Sequence, residues 1–337
     1  MVLKFMLGLF SKKGLLTLGL VVIVALAPAA IYLNWQYNHQ VDLGERTVTL
    51  IVEPGDSFGR IAGELVGTGV VDSKVMLKYP ARWNGIDRKL TPGRYDFTGK
   101  NSCASVLGKL ARAEVVKIKV TIPEGTTIWK MAGILAERMT FDSAFIVGLN
   151  HDTALLAELN VPCLEGFLFP ETYYFPWGTG ATDIISEMVQ MSTAQIDSVW
   201  MENTPLDLDR FDIVKLASII EAESGLNSER GRIASVYLNR LSRKMKLDAD
   251  PTIIYGLGGL DRPLMKRDLR KDTPYNTYLH RGLPPTPINS PGLASIEAAL
   301  NPEQTDFLFF VADNTGGHYF SRTNAEHNRA IRRIRSK

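Results

Sequence analysis

An uncharged segment near the N-terminus is the strongest constraint that this sequence places on its own folding. No Asp, Glu, Lys or Arg occurs from residue 14 to residue 35, a run of 22 residues. A helix of that length is about 33 Å long, enough to cross the roughly 30 Å hydrocarbon core of a bilayer. Tyr32, Trp35 and Tyr37 follow at its end, where interfacial aromatic residues collect. The sequence therefore predicts a transmembrane helix at residues 14–35.

A cleaved signal peptide is the alternative interpretation of this segment, because residues 25–27 (Ala-Leu-Ala) have the small-x-small pattern of a cleavage site. Pro28 follows that pattern directly and the apolar run continues to Leu33, which favours a retained anchor. Lysines occur on the N-terminal side, at positions 4, 12 and 13. They predict a cytoplasmic tail at residues 1–13, a single membrane pass and an extracytoplasmic location for the rest of the chain.

Charge and cysteine content exclude several classes of function. Lys4, Lys12 and Lys13 are the only charges among the first 35 residues, so the rest of the chain carries 35 basic and 36 acidic residues. This balance supplies no concentrated positive field, which argues against a nucleic-acid partner. Two cysteines, Cys103 and Cys163, exclude a disulfide framework and a four-cysteine zinc site. The five histidines have no zinc-ligand spacing, so we expect no metal site.

The remainder predicts an α+β fold that begins with a small βααβ unit at residues 46–100. A strand at 47–53 is followed by a Pro-Gly-Asp-Ser turn, a helix that carries Phe58 and Ile61, a second helix from about Ser73, and a returning strand at 93–97. This order resembles a LysM domain, a module that binds polymers containing N-acetylglucosamine. A simple spacer is the alternative. A linking α/β subdomain at 101–160 repeats the strand-turn-helix pattern in part, which leaves an internal duplication open.

Residues 161–337 predict a mixed α+β catalytic domain with a helical frame. Apolar spacing indicates helices at about 181–200, 209–224 and 228–244, followed by Pro- and Gly-rich loops, a strand at 307–311 and a turn at 316–318. The segment 164–173 holds three aromatic residues and two carboxylates. It is either a sugar-stacking platform or part of the core.

Two glutamates on the helix at 209–224 are candidates for chemistry. At about 100° per residue, Glu223 falls within the apolar stripe of that helix, whereas Glu221 points about 160° away from it. An apolar environment raises a carboxyl pKa, as a general acid at neutral pH requires. The residues alone leave open whether Glu223 is desolvated in this way or turns into solvent at the helix end. Glu221 is predicted to be a structural partner of a nearby loop or helix N-terminus.

Six motifs occur in a fixed order along this domain. They are residues 218–224 (SIIEAES), 234–241 (ASVYLNRL), 250–256 (DPTIIYG), 275–278 (YNTY), 282–285 (GLPP) and 310–313 (FVAD). Together they resemble the YceG-like family of endolytic murein transglycosylases. That resemblance implies an enzyme that cleaves within peptidoglycan glycan strands, between MurNAc and GlcNAc, and leaves 1,6-anhydro-MurNAc ends. It also implies a bacterial inner-membrane enzyme with a periplasmic catalytic domain, which needs neither a metal nor an organic cofactor. The implied role is in cell wall assembly or glycan strand termination, with penicillin-binding proteins and other wall-synthesis proteins as candidate partners.

The resemblance places the catalytic glutamate at Glu223. Ala222 and Ser224 stand where the family usually has Lys and Thr, and the Thr-to-Ser difference keeps the hydroxyl. The expected substrate-binding residues are Glu221, Asn239, Asp250, Tyr275, Asn276, Thr277, Tyr278 and His318.

The predicted chemistry needs one carboxyl group, because the C6 hydroxyl of the substrate is the nucleophile. Two alternatives stay open at this point. One is a lysozyme-like hydrolase in which Asp250 or Glu221 is the second carboxylate. The other is a non-catalytic scaffold that binds peptidoglycan.

Overall fold

The structure is a computed structural model that describes residues 12–139 and 141–336; within the first helix, side chains are described at residue 20 and from residue 24 onward. The predicted cytoplasmic tail at 1–13 lies outside the described residues except for its last two positions. The described chain forms thirteen α-helices, four short 3₁₀ helices and four two-stranded sheets. This mixed content confirms the predicted α+β class.

Two compact units make up the chain. The first contains residues up to 117 together with 176–178, and the second contains 118–175 and the residues from 179 onward. The predicted linking segment at 101–160 is therefore divided between the units. The domain boundaries given by the sequence stay a prediction.

The first unit contains four helices, four strands and one 3₁₀ helix. In chain order they are α1 (Lys12–Asn38), β1 (Val41–Asp42), β2 (Val48–Val52), α2 (Phe58–Gly67), α3 (Lys74–Trp83), the 3₁₀ helix Ile86–Arg88, β3 (Gly93–Phe97), β4 (Lys100–Asn101) and α4 (Cys103–Ala111). Antiparallel pairing joins β2 to β3, with Val48 opposite Phe97, and β1 to β4, with Val41 opposite Asn101.

The βααβ order predicted for residues 46–100 is present in this unit. Alternate residues of β2 are buried, as expected of a strand with one face on a core. Ser57 and Ser73 cap α2 and α3, each accepting a hydrogen bond from a backbone N–H three residues on. Buried residues from both helices and both strands form one core. The LysM-like identity of this unit is not settled by its fold.

Helix α1 covers the segment predicted to cross a membrane. Every described side chain from residue 24 to residue 35 is exposed, and Pro28 lies inside the helix. Among the described residues, the structure contains no helix with the length and apolar character needed to span a membrane. The helix is confirmed, and the transmembrane span is not.

The second unit contains the remaining elements. They are β5 (Lys117–Thr121), α5 (Ile128–Arg138), α6 (Ser143–Leu149), α7 (Thr153–Leu159), β6 (Thr172–Pro176), α8 (Ala181–Val199), α9 (Arg210–Glu223), α10 (Arg230–Ser242), α11 (Asp250–Gly256), α12 (Leu293–Leu300), β7 (Phe309–Ala312), β8 (His318–Ser321) and α13 (Asn324–Arg335), with 3₁₀ helices at Pro205–Asp207, Asn227–Glu229 and Asp268–Arg270. Strands β7 and β8 form an antiparallel hairpin in which Ala312 pairs with His318. The three helices predicted for the frame correspond to α8, α9 and α10.

Helix α9 is the centre of the second unit. Its residues from Ile213 to Ile220 are buried except Lys215, so the burial extends around most of the helix rather than along one stripe. Helices α10, α11 and α12 all contact α9. A side chain at the last turn of α9 therefore has its position fixed by packing on several sides.

The strand-turn-helix pattern that recurs in the sequence also recurs in the backbone. Gly55 and Gly125 both have a positive φ, at 87° and 70°, a conformation that favours glycine. Ser57 and Thr127 both precede the first residue of a helix. The two caps differ, because the Thr127 side chain makes no capping hydrogen bond. An internal duplication stays a prediction.

Candidate active site

A cavity of about 520 Å³ lies at the C-terminal end of α9. Its walls come from α10, the start of α11, the loop that carries Tyr278, the β7–β8 hairpin and α13. The residues that line it are Glu223, Tyr237, Arg240, Leu247, Asp248, Asp250, Tyr278, Phe309, Phe310, Val311, Ala312, His318, Asn324 and His327. Four of the residues predicted from the sequence, Glu223, Asp250, Tyr278 and His318, are thus brought together.

Glu223 is the last residue of α9 and its side chain is half-buried. Its Oε1 accepts a hydrogen bond of 3.2 Å from the Tyr237 hydroxyl. Burial raises the pKa of Glu223 to about 7, and the negative charge of Asp250 acts in the same direction, whereas Tyr237 and His318 oppose the shift. The Glu223 carboxyl is therefore partly desolvated, although it still lines the cavity. Such a carboxyl can give and take a proton near neutral pH.

Tyr237 fixes the Glu223 carboxyl from the adjacent helix α10. Its ring is fully buried and contacts Phe310 edge to face, with 5.8 Å between ring centroids. Burial beside the Glu223 carboxyl raises the pKa of Tyr237 far above its ordinary value. The hydroxyl therefore keeps its proton and donates to Glu223.

Asp250 faces the same cavity from the first residue of α11. It is exposed, and its Oδ1 accepts a hydrogen bond of 2.6 Å from the Tyr278 hydroxyl. Burial and the adjacent Asp250 raise the pKa of Tyr278, so its hydroxyl also remains protonated. The pair places a fixed, exposed carboxylate in the same cavity as the partly desolvated Glu223 carboxyl.

His318 is held in a defined orientation by a carboxyl that the sequence did not indicate. Its Nδ1 lies 2.8 Å from Oε2 of Glu229, and its backbone N–H donates to Oε1 of the same residue. Because a carboxylate only accepts, Nδ1 carries the proton in this pair. Nε2 makes no hydrogen bond to a described residue, and His318 is one of the residues that line the cavity. Glu229 belongs to none of the six motifs, and it lies 89 residues from His318 in the sequence.

Glu221 does not line the cavity, so its assignment to substrate binding is not supported by its position. Its carboxyl accepts hydrogen bonds from Arg230 at 3.0 Å, from the backbone N–H of Gly292 at 3.1 Å and from the Ser295 hydroxyl at 2.8 Å. The Glu221 and Arg230 side chains are each only 7% exposed. Glu221 therefore binds the N-terminus of α12, which is the structural role predicted for it.

Asn239 and Asn276 also lie outside the cavity. The Asn239 amide donates to the backbone carbonyls of Thr305 and Phe307 at 2.9 and 3.0 Å, which attaches the chain before β7 to α10. Asn276 is fully buried, its amide donates to the carbonyls of Leu269 and Lys271, and its oxygen accepts from the backbone N–H of Tyr278. Both amides satisfy buried backbone groups. Asn276 positions Tyr278 rather than facing a ligand.

Tyr275 and Thr277 complete the predicted set, and neither lines the cavity. The Tyr275 hydroxyl pairs with that of Thr286 at 2.8 Å, and its ring packs on Tyr255. The buried Thr277 hydroxyl lies 2.9 Å from that of Thr252 and accepts from the backbone N–H of Ala249. These contacts attach the 275–278 loop to the start of α11.

A second buried carboxyl, Glu165, lies away from the cavity. Its oxygens accept from the backbone N–H of Ile128 at 3.2 and 3.1 Å and from the Tyr255 hydroxyl at 2.9 Å. Burial raises its pKa to about 7, like that of Glu223. Glu165 thus binds the N-terminus of α5, where Thr127 provides no cap. The aromatic residues of its segment, Phe167, Phe169 and Tyr173, are buried, so the segment is core and not a sugar platform.

No cluster of three or more His, Cys, Asp or Glu residues that could hold a metal ion occurs in the described part of the chain. Cys103 and Cys163 are both buried and free. The polar groups that line the cavity include carboxyl, phenol and imidazole groups, among them those of Glu223, Tyr237 and His318.

Comparison with known proteins places this arrangement in a family. The sequence pattern of the YceG-like family matches residues 50–333. The chain is 30% identical over 302 residues to the endolytic murein transglycosylase of Bacillus subtilis strain 168, covering 84% of each protein. It is 28% identical to the endolytic murein transglycosylase of Streptococcus pneumoniae strain D39, covering 93% of this chain and 64% of that protein.

A solved structure of a YceG-like protein is also similar to this chain. The crystal structure of a YceG-like protein from Listeria monocytogenes superimposes with a TM-score of 0.59 at 31% sequence identity, covering 84% of this chain and 98% of the other. The family pattern accounts for most of the chain, and it includes both the βααβ unit and the cavity around Glu223. This chain therefore belongs to the YceG-like family.

Proposed function

We propose that this protein is an endolytic murein transglycosylase and that Glu223 is its catalytic acid and base. The observation that carries the proposal is a single desolvated carboxyl, with a pKa near 7, that opens into a cavity of about 520 Å³. The names of the bacterial relatives support the same activity. A carboxyl in this state is half protonated near neutral pH, so it serves either step of a proton-transfer cycle.

In the proposed reaction, Glu223 first donates its proton to the oxygen of the glycosidic bond between MurNAc and GlcNAc. The C1–O bond of MurNAc breaks, and the departing GlcNAc keeps the oxygen as a hydroxyl. The C6 hydroxyl of the same MurNAc then attacks C1, and the Glu223 carboxylate accepts its proton. The product is a 1,6-anhydro ring, Glu223 is protonated again, and no water is consumed.

The other groups of the cavity stabilise the positive charge that develops at C1. The carboxylate of Asp250, fixed by Tyr278, supplies negative charge. His318, fixed by Glu229, presents Nε2 to sugar hydroxyl or acetamido groups. Tyr237 keeps the Glu223 carboxyl in one orientation through both proton transfers.

A lysozyme-like hydrolase is the second candidate, because Asp250 shares the cavity with Glu223 and could act as a second carboxylate. Mass spectrometry of the products from purified glycan strands separates the candidates. Anhydro ends support the transglycosylase. Ends heavier by one water molecule would show a hydrolase, and intact strands would show a non-catalytic scaffold.

We also propose that the βααβ unit is LysM-like and binds glycan. The order β2-α2-α3-β3 and the antiparallel pairing of its strands support this assignment. The inactive Glu223→Gln variant should then still sediment with insoluble peptidoglycan. If the unit is only a spacer, the protein binds peptidoglycan through the cavity alone. Adding Asp250→Ala to the Glu223→Gln variant would then abolish sedimentation with peptidoglycan.

The proposed substrate lies in the cell envelope, and we propose that the protein is attached to the inner membrane by its N-terminal segment with the catalytic unit in the periplasm. The uncharged run at 14–35 and the exposed side chains of α1 support this location. Alkaline phosphatase fused after Gln40 should be active in cells, and an inactive fusion would refute the topology. Penicillin-binding proteins and other wall-synthesis proteins are the proposed partners, to be tested by crosslinking in cells.

A further inference from the structure

The outer face of α3 is an exposed surface that the proposed reaction does not use. Val75, Tyr79 and Trp83 recur every fourth residue along this helix, so they form one stripe. All three are exposed, Tyr79 to 65% and Trp83 to 91%. The opposite side of the same helix, Leu77 and Ala81, is buried in the core of the first unit. Helix α3 therefore packs one face in the core and exposes large apolar side chains on the opposite face.

A row of cations runs beside this stripe. Lys74, Lys78 and Arg82 each precede one of its members by one residue, and all three are exposed. None of them forms an ion pair or a side-chain hydrogen bond with a residue that the structure describes. The face therefore combines free positive charge with aromatic and aliphatic groups, the composition of helices that lie in a membrane interface.

The same face continues onto the end of α1. A groove of about 460 Å³ lies between the two helices, lined by Leu33, Asn34 and Tyr37 from α1 and by Met76, Tyr79, Pro80, Trp83 and Asn84 from α3. On α1, the rings of Tyr32 and Trp35 stack with 6.1 Å between their centroids. Aromatic side chains from two helices thus surround an open apolar groove at the end of an uncovered apolar helix.

We infer that the outer face of α3 and the end of α1 together bind the interfacial region of an anionic phospholipid bilayer. Tyr and Trp prefer the depth of the lipid headgroups, where their rings are in apolar surroundings and their polar atoms are hydrated. The three cations complement anionic headgroups, and each Lys or Arg near such a surface raises partitioning by about fivefold. The contact would hold the first unit flat against the bilayer. The inference rests on the proposed attachment of the N-terminal segment to the membrane. It adds a second contact between the protein and the bilayer.

The test places a fluorescent probe on this face in the full chain. Trp83→Cys is labelled with an environment-sensitive dye and reconstituted into vesicles of phosphatidylglycerol and phosphatidylcholine that contain a quencher at a shallow acyl position. The native thiols do not interfere, because burial raises the pKa of Cys103 to about 11 and that of Cys163 to about 12. We expect blue-shifted emission and at least about twofold quenching.

Reversal of the charges on α3 tests whether these cations are needed for the quenching of the probe. Lys74→Glu, Lys78→Glu and Arg82→Glu together should release the labelled face from the lipid, since three reversed charges change partitioning by more than roughly 100-fold. The control reverses three exposed arginines of α13, at positions 329, 332 and 335, which gives the same net charge and should leave the quenching unchanged.

Three outcomes would overturn the inference. The first is an unquenched probe, and the second is quenching that survives the reversal on α3. The third is an emission shift that depends on added glycan fragments or on a second labelled copy instead of lipid. The proposed activity and topology are measured separately, by product analysis and by the fusion after Gln40, so their failure is distinguishable from the failure of this contact.

Discussion

Replacement of Glu223 by Gln should lower activity and raise stability at alkaline pH, two effects with one physical cause. The carboxyl has an ordinary pKa of 4.5 and a pKa of about 7 in the folded protein, because burial disfavours its charged form. Gln keeps the volume and the oxygen that accepts from Tyr237, but it cannot transfer a proton. Turnover should therefore fall by about 10² to 10⁴, the usual contribution of general acid-base catalysis.

The stability effect has a defined sign and pH window. As the pH rises from 4.5 to about 7, the unfolded chain releases the Glu223 proton before the folded protein does, so the folded protein loses stability across that window. At about 1.36 kcal/mol per pH unit, the full loss is roughly 3 kcal/mol. The half-buried carboxyl reaches solvent in the cavity, so we expect about 1–3 kcal/mol. Glu223→Gln lacks this loss and should gain that amount relative to wild type between pH 4 and pH 8.

Both effects can be measured on the same preparations of full chain in detergent. Product formation is followed by mass spectrometry of 1,6-anhydro ends from purified glycan strands, and stability by denaturant unfolding at pH 4 and pH 8. Glu165→Gln is the matched control, because burial raises the pKa of Glu165 to about 7 as well, outside the cavity. It should show the pH-dependent gain in stability and retain activity.

Two results would refute this reasoning. If Glu223→Gln forms anhydro ends at a near wild-type rate, Glu223 is not the catalytic group. If the stability difference between Glu223→Gln and wild type is the same at pH 4 and pH 8, the carboxyl is not desolvated in the folded protein.

Four further substitutions test the surroundings of Glu223, the proposed catalytic residue. Tyr237→Phe removes a hydrogen bond that favours the ionised carboxyl, so the alkaline limb of the pH-rate profile should move to higher pH. Glu229→Gln should reduce turnover about tenfold, roughly 1.4 kcal/mol, with KM nearly unchanged, because His318 loses its orienting carboxylate. Glu221→Gln leaves a buried arginine without its closest countercharge and should destabilise the protein by about 3 kcal/mol while the remaining folded enzyme stays active. Asn276→Ala should destabilise it by about 2 kcal/mol or more, since it leaves buried carbonyls unpaired.

Unfolding midpoints and pH-rate profiles check these expectations together. An unchanged pH profile in Tyr237→Phe would show that the Tyr237 hydroxyl does not lower the pKa of the Glu223 carboxyl. Loss of activity in fully folded Glu221→Gln would mean that the wrong glutamate has been assigned. An Asn276→Ala variant that keeps its stability but loses turnover would place Asn276 in contact with substrate after all.

The sequence alone determined most of the local elements that surround the cavity. Capping serines predicted where α2 and α3 begin, and apolar periodicity predicted α8, α9 and α10 nearly to their observed ends, because these signals depend on neighbouring residues. The same periodicity left open whether Glu223 is desolvated or turns into solvent, and in the structure it is half-buried beside the Tyr237 hydroxyl. The structural role of Glu221 stays a prediction, which its contacts with the N-terminus of α12 support.

Only the tertiary structure decided which polar side chains face the cavity. Asn239 and Asn276 have the residue types of a sugar site, yet both satisfy buried backbone carbonyls, those of Asn239 from 66 and 68 residues away. Glu229 has no sequence signal, and it reaches His318 only because the β7–β8 hairpin packs beside the start of α10. Side-chain type shows that a group needs a hydrogen-bond partner. Whether that partner is the protein or a ligand depends on contacts between distant segments, which a local pattern does not contain.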